Sequence, residues 1–408
     1  MKILWVVNTV FPDLSKALGQ NAPVIGGWMY DLAKDLSELP DINLYVATVY
    51  GGQDIIHKNI GEIEYYLVPK KNKHKWGEVY DLCQPAVVHI HGSEFDYGLN
   101  LIDCRPQGKY ILSIQGLVSE IYKYYLGGLT NYEVISSITL RDIIKRDTLF
   151  QGKRNFYKRG LQEQAYFKKV NAVMGRTDWD QAHAWALNPK LKYFHCPEQL
   201  RDEFYTSDKW SYENCEKHSI FISQAGYPIK GLHQVLKAVA LLKYEIPDIK
   251  LYVAGYKICE DKTLKDRLRM TGYGAYIKKL IKNLGLQQHV EFLGLLKADE
   301  MKAYYLKSNV FVCPSAIENS PNSVCEAQVL GVPVISSYVG GVASIIEPDS
   351  HVYLYEYSDF ALLAFYIRKI FSIKHSSRQS VISFNDKNIV NKIVNIYYTV
   401  LVNLGMVE

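Results

Sequence analysis

The sequence predicts an α/β protein made of two doubly wound, Rossmann-like domains that face each other across a cleft. Three observations lead there. In the first half, short apolar runs alternate with helical periodicity. The same alternation restarts near His218, and a polar, aperiodic stretch separates the two series. At 408 residues the chain exceeds a typical single core and suits two domains.

In chain order, KILWVV (2–7), INLYVATV (42–49), AVVHIH (86–91), KYILSI (109–114) and NAVMGR (171–176) read as buried parallel strands, because each is apolar on both faces. Between the first two, Met29, Leu32, Ala33, Leu36 and Leu39 recur at helical spacing. Residues 120–169 break the rhythm and read as two or three consecutive helices rich in Lys, Arg and Tyr. The stretch 196–217 reads as a linker. Strands follow at HSIFIS (218–223), KLYVAG (250–255), VEFLG (290–294), NVFVCPS (309–315) and VPVIS (332–336). The expected domains are therefore 1–195 and 218–385. A last helix in 386–408, apolar at Ile389, Ile393, Ile396 and Tyr397, is expected to cross back to the first domain.

Composition narrows the class. A hydrophobic content of 48% with 22% charge is that of an ordinary globular protein, and the net charge of +5 is mild. Seven scattered cysteines offer no metal-ligand spacing and read as reduced thiols of a cytoplasmic protein. The N-terminus does not read as a signal peptide, and no apolar run approaches the roughly 20 residues that span a bilayer.

The segment 313–341 carries the most chemistry. A strand ends at Pro314, a polar loop follows, and a helix begins near Asn322 or Ser323, with Ser323 suited to the N-cap. Glu318 and Glu326 bracket seven residues, one in the loop and one in the helix's first turn. Amides at such a helix start suit a diphosphate, and a carboxylate just inside it suits the hydroxyls of a ribose. Asp178 and Asp180 spell a D-x-D, but they follow Thr177, an N-cap residue. They read as first-turn acids favoured by the helix dipole, so no metal or other cofactor is expected.

This glutamate pair, its strand ending in Pro-Ser, and the following Gly-Val-Pro-Val-Ile and Val-Gly-Gly resemble the E-x7-E region of glycosyltransferase family 4. That family is retaining and has the GT-B fold. SQAGYPIKGLHQVLKAVALLKYEIPDIKLYVAG (223–255) is similar to the family's strand–loop–Lys-Gly–helix element, which makes Lys230 the expected diphosphate ligand. The family's usual Arg is missing there, where Gln224, Ala225 and Gly226 stand. By the same resemblance Glu318 meets the sugar, Glu326 the ribose, Asn322 and Ser323 the diphosphate, and Gly294 and Leu295 the base. Gly26 and Gly27 match a glycine-rich loop near donor and acceptor. His91 and Gln115 end strands toward the cleft, Gln115 standing where many relatives have His, whereas His89 reads as a core residue. Residues 175–205 resemble capsule-type members.

The resemblance implies transfer of a sugar, with retained configuration, from a nucleotide diphosphate, with uridine the expected nucleoside. The acceptor would be a glycan or lipid-linked sugar in surface polysaccharide synthesis. An epimerase on the same fold, using Glu318 and His91, is the rival enzyme. A dinucleotide oxidoreductase lacks its G-x-G-x-x-G, and no nucleic-acid partner is expected. Residues 121–169, basic and aromatic, suit contact with an anionic membrane at its cytoplasmic face.

Overall fold

A computed structural model describes residues 1–20, 27–205, 208–261, 263–348, 352–373 and 389–405. The chain folds as two compact units. The first takes Met1–Ser119, Lys158–Arg201 and the terminal helix Ile389–Gly405; the second takes Glu120–Tyr157 and the described chain from Asp202 to Ile373.

In the first unit the strands are β1 (Lys2–Val6), β2 (Asn43–Tyr50), β3 (Ile56–Ile60), β4 (Ile63–Pro69), β5 (Val87–His91), β6 (Tyr110–Ser113), β7 (Ala172–Gly175) and β8 (Lys192–His195). They lie in the order β3-β4-β2-β1-β5-β6-β7-β8. All neighbours are parallel except β3 and β4, which form a hairpin around Gly61, at φ +60°. The expected strands match β1, β2, β5, β6 and β7, whereas β3, β4 and β8 go unread in the sequence. β3 and β8 close the two edges of the sheet, and neither has a fully buried residue, so both lack the continuous apolar signature of the central strands.

The terminal helix Ile389–Gly405 belongs to this unit's core. Ile389, Ile393, Ile396 and Tyr397 join Ile3, Trp5 and Met29 in one buried cluster. The Trp5 indole donates to the Tyr397 hydroxyl at 3.0 Å, and that hydroxyl meets His89 Nδ1 at 2.6 Å. His89 Nε2 lies 2.6 Å from Ser113 Oγ, which makes His89 the buried core histidine expected of it.

The second unit holds β9 (Glu216–Ile222), β10 (Lys250–Ala254), β11 (Val290–Gly294), β12 (Ser308–Cys313), β13 (Val334–Ser337) and β14 (Val352–Tyr355), in the order β11-β10-β9-β12-β13-β14 and all parallel. After β9 the chain steps outward to β10 and β11, then returns to place β12 on the other side of β9. That reversal opens a crevice at the carboxyl ends of β9 and β12, where open α/β sheets bind ligands.

Two stretches pack differently from the expected domains. Residues 120–157 cluster with the second unit, where Leu129 and Val134 enter its core. His233 fixes them there, one ring nitrogen 2.8 Å from the Gly127 carbonyl and the other 3.1 Å from the Tyr273 hydroxyl. The expected linker is also structured: Phe204 and Trp210 are buried, and the Trp210 indole donates to the Ser308 carbonyl at 2.8 Å.

Candidate functional site

Lys230 and Glu318 stand 88 positions apart and meet at the crevice between β9 and β12. Lys230 closes the tight turn Pro228–Lys230 after β9, and Glu318 lies in the loop after β12. The Lys230 ammonium donates to Glu318 Oε1 at 2.5 Å, and the Ser315 hydroxyl donates to the same oxygen at 2.7 Å. The side chains of the pair are 19% and 15% exposed, so both are sheltered yet reachable. Burial works against the Lys230 charge, but the Glu318 carboxylate outweighs it and holds the lysine above its ordinary pKa. The cation is therefore fully charged at neutral pH.

Backbone contacts set this geometry. Gly231 follows Lys230 at φ +70°, and a Cβ there would lie 1.7 Å from the Pro314 carbonyl oxygen, so the two loops approach to a distance only glycine permits. Ala316 N donates to the Ile229 carbonyl at 2.7 Å, locking the loops together. On the other side, a Cβ on Gly340 would lie 1.9 Å from the Glu318 carbonyl oxygen, to which Gly341 N donates at 3.0 Å. The Val-Gly-Gly of the sequence thus clamps the loop that carries Glu318.

The helix after the loop runs Asn322–Leu330, and its N-cap is Pro321, with no side-chain cap bond. The expected N-cap, Ser323, is instead the second helical residue. The helix starts at Asn322, one of the two expected positions, and the cap falls at Pro321, where proline cannot continue the helix backward. Glu326 is accordingly the fifth helical residue and lies beyond the first turn where the sequence reading put it. It is 6% exposed and accepts a hydrogen bond from the Tyr305 hydroxyl at 3.0 Å. Tyr305, Ser315 and the turn glycine Gly231 are site residues that sequence reasoning missed; the Lys-Gly pair was the available signal for the last.

Gly294 ends β11 at φ +89°, and its carbonyl accepts from Gly255 N at 2.9 Å; Leu295, next in the chain, is 49% exposed at that strand end. Lys230, Glu318, Asn322, Ser323 and Leu295 thus belong to the turns, loops and helix start that follow strands of the second sheet, with Gly294 the last residue of β11 and Glu326 past the first turn of its helix.

The first unit departs further from expectation. Gly27 opens the helix Gly27–Ser37, and Gly26 lies outside the described residues. His91 was expected to point into the cleft, but it is 3% exposed, its ring 4.3 Å from that of Trp5 and 4.0 Å from that of His89. Positions two apart in a strand share a face, so His91 follows His89 inward. Burial lowers its pKa to about 3, leaving the ring neutral. Gln115 packs its amide 3.7 Å from Met29 Sδ, while its backbone carbonyl accepts from the Arg176 guanidinium at 3.3 Å.

Three carboxylates here were not read from sequence. Arg176 pairs with Glu198 at 2.6 Å, both well sheltered. Glu163 is fully buried and accepts from Val118 N, Ser119 N and the Ser93 hydroxyl. Glu94 folds back over Gly92 with Oε2 buried, and burial, reinforced by the charge of Glu163, pushes its pKa up to about 7. The D-x-D aspartates do sit in a helix's first turn after Thr177. Asp180 there accepts from Arg176 N at 2.9 Å and from the Tyr193 hydroxyl at 2.5 Å.

Residues 207–387 match the model of the family described as glycosyl transferases group 1. Among curated proteins, an uncharacterized glycosyltransferase of Methanocaldococcus jannaschii is 30% identical over 134 residues, which is 33% of this chain and 30% of that protein. The chain spans less than half the length of the curated relatives it matches. Solved structures align over nearly the whole chain. HepE of Anabaena, in complex with UDP and glucose, gives a TM-score of 0.61 at 15% identity over 100% of both chains. The lipopolysaccharide outer core galactosyltransferase WaaB gives 0.61 at 12% identity over 98% of this chain and 99% of that one. At such identities the likeness speaks to the fold, which is GT-B.

Proposed function

We propose that this chain is a retaining glycosyltransferase that moves a sugar from a nucleoside diphosphate, with uridine the favoured nucleoside, to a hydroxyl of a glycan or lipid-linked acceptor in surface polysaccharide synthesis. The observation that carries this reading is the Lys230–Glu318 pair at the β9/β12 crevice. It sets a charged cation and a carboxylate side by side where a diphosphate and the sugar it bears would lie. The match of 207–387 to a glycosyltransferase family supports the reaction class. The UDP complex of HepE supports uridine, and the likeness to WaaB supports a surface-glycan setting.

In the proposed reaction the bond between the sugar's anomeric carbon and the diphosphate oxygen breaks, the acceptor hydroxyl oxygen takes its place on the same face, and the hydroxyl proton passes to the departing diphosphate. Negative charge grows on the leaving diphosphate. Lys230, with the amides of Asn322 and Ser323, stabilises it, a preorganised electrostatic contribution that needs no metal. Glu318, held in place by Ser315 and Gly341, orients sugar hydroxyls and offsets positive charge at the ring. Glu326 receives the ribose hydroxyls, with Tyr305 fixing its carboxylate. Gly294 and Leu295 frame the base. The same reading places the protein at the cytoplasmic face of a membrane whose lipids bear the acceptor.

Radiolabelled UDP-sugars, incubated with and without glycan or polyprenyl-diphosphate-sugar acceptors, test the reaction. Label in the acceptor with unchanged anomeric configuration is the expected outcome. Epimerised donor would assign the chain to the rival enzyme, and absence of turnover across donors would remove catalysis from the reading.

A further inference from the structure

Three short helices of the second unit turn their apolar side chains outward. Tyr132 and Ile135 on Asn131–Ile135, Leu140, Ile143 and Ile144 on Leu140–Lys145, and Leu264 and Leu268 on Leu264–Arg269 are each 60–77% exposed. Within each helix these positions are three or four apart, so they share a face. A globular helix ordinarily buries that stripe, and large apolar side chains left exposed on neighbouring helices mark an interaction site.

The helices adjoin. Leu140–Lys145 packs on Leu264–Arg269, the Thr139 hydroxyl donates to the Met270 carbonyl at 3.0 Å, and Glu133 accepts from the Tyr276 hydroxyl at 2.9 Å. Of these three helices only Val134 and Asp142 are buried, and Leu264–Arg269 buries no residue.

The charge around this surface is one-sided. Glu133 and Asp266 are taken up by capping boxes at Thr130 and Thr263, while Asp142 and Asp147 both hold Arg141. Lys145, Arg146, Lys265 and Arg269 are exposed, and among the described residues none has a carboxylate within ion-pair distance. An apolar centre with a cationic rim matches an anionic lipid surface, whose acyl region takes the side chains and whose headgroups take the charges.

We propose that this surface of the second unit docks the protein on an anionic bilayer. The inference rests on the membrane reading above and narrows the contact within 121–169 to Asn131–Ile135 and Leu140–Lys145, extending it by Leu264–Arg269. Other cations of 121–169, Lys153, Arg154, Lys158 and Arg159, lie on Leu149–Lys169, and Arg159 there is committed to the Glu94 carbonyl at 2.8 Å and to the Phe95 ring.

Sedimentation with phosphatidylcholine vesicles, with and without phosphatidylglycerol, tests it on the full chain at low salt. The wild type should pellet with anionic vesicles only. Ile143→Ser/Ile144→Ser/Leu264→Ser/Leu268→Ser should weaken binding by about tenfold or more. Lys145→Gln/Arg146→Gln/Lys265→Gln/Arg269→Gln should weaken it by a similar factor, each cation contributing roughly fivefold at most; this second variant keeps the test open if the first does not fold. Lys153→Gln/Arg154→Gln/Lys158→Gln should bind as wild type. Loss of binding in that third variant alone would move the contact to Leu149–Lys169 and overturn this inference while leaving membrane association in place. A wild type that ignores every vesicle overturns both. A concentration-dependent dimer abolished by the serine variant, with no vesicle binding, would assign the surface to a second copy of the chain.

Discussion

Replacing Lys230 by Met keeps most of the side chain's stem and removes its charge, leaving Glu318 with Ser315 as its remaining side-chain donor among the bonds described above. Breaking a fully buried ion pair from one side costs about 3–5 kcal/mol. Here both partners retain some exposure, 19% and 15%, so water screens part of the loss and about 1.5–3 kcal/mol is expected. Glu318→Gln removes the other charge, and the double variant should recover about 1–2 kcal/mol of the summed losses, because neither partner is then left alone. Urea denaturation of the four proteins measures this cycle. Calorimetric titration with UDP measures the ligand side, on which the two single variants diverge. Lys230→Met should weaken UDP by roughly ten- to a hundredfold, the worth of a charged hydrogen bond. Glu318→Gln should leave UDP affinity intact or raise it, since a carboxylate no longer competes for the ammonium, while sugar transfer falls. Strict additivity of the two losses would refute the coupling, and a Lys230→Met protein that binds UDP like the wild type would refute the diphosphate role.

Other outcomes follow from the same geometry. Because Glu94 keeps its proton up to about pH 7 when folded, against 4.5 for an ordinary glutamate, the folded state binds more protons than the unfolded chain in between and stability should decline as pH rises through that window. Glu94→Gln should abolish the decline, matching wild type near pH 5 and exceeding it by about 2–3 kcal/mol at pH 8 in urea melts; parallel pH profiles for the two proteins would count against it. Gly231→Ala should cost about 2 kcal/mol or more, since its Cβ would sit 1.7 Å from the Pro314 oxygen at φ +70°, whereas Gly226→Ala, with nothing within 4 Å, should melt like the wild type. Sugar transfer should survive EDTA; loss of activity restored by manganese would return attention to Asp178.

The central strands were legible because they are buried on both faces and therefore read as unbroken apolar runs, as in VVHIH and SNVFVC. The edge strands β3, β8 and β14 escaped, whereas β11 at the other edge of its sheet was read; a strand covered on one side needs no such run, and KYFH of β8 has no fully buried residue. Glu318, Glu326 and Lys230 were picked out by their resemblance to a family motif, and of these the structure brings Lys230 and Glu318 into contact. The site was not legible where the constraint is a backbone approach between distant segments, such as Gly231 to Pro314 or Gly340 to Glu318, because neither partner's identity announces the other. His91 misled for a related reason: a strand-end position says how far along the sheet a side chain sits, and which face it takes depends on what Trp5 and His89 leave room for. The packing of 120–157 on the second unit rests on single contacts such as that of His233 with Gly127, and leaves no periodic trace.

The return of Ile389–Gly405 to the first sheet has a bearing on how the protein is made. Trp5 is translated long before Tyr397, yet its indole donates a hydrogen bond to the Tyr397 hydroxyl. The first unit's core cannot close until Ile389–Gly405 has been synthesised, whereas every described element of the second unit has been translated by Ile373. During translation the second unit is therefore free to fold first, reversing the usual N-terminal-first order. Nascent chains arrested before Ile389 should yield a protease-resistant second unit attached to a first unit whose Trp5 face is still open to chaperones.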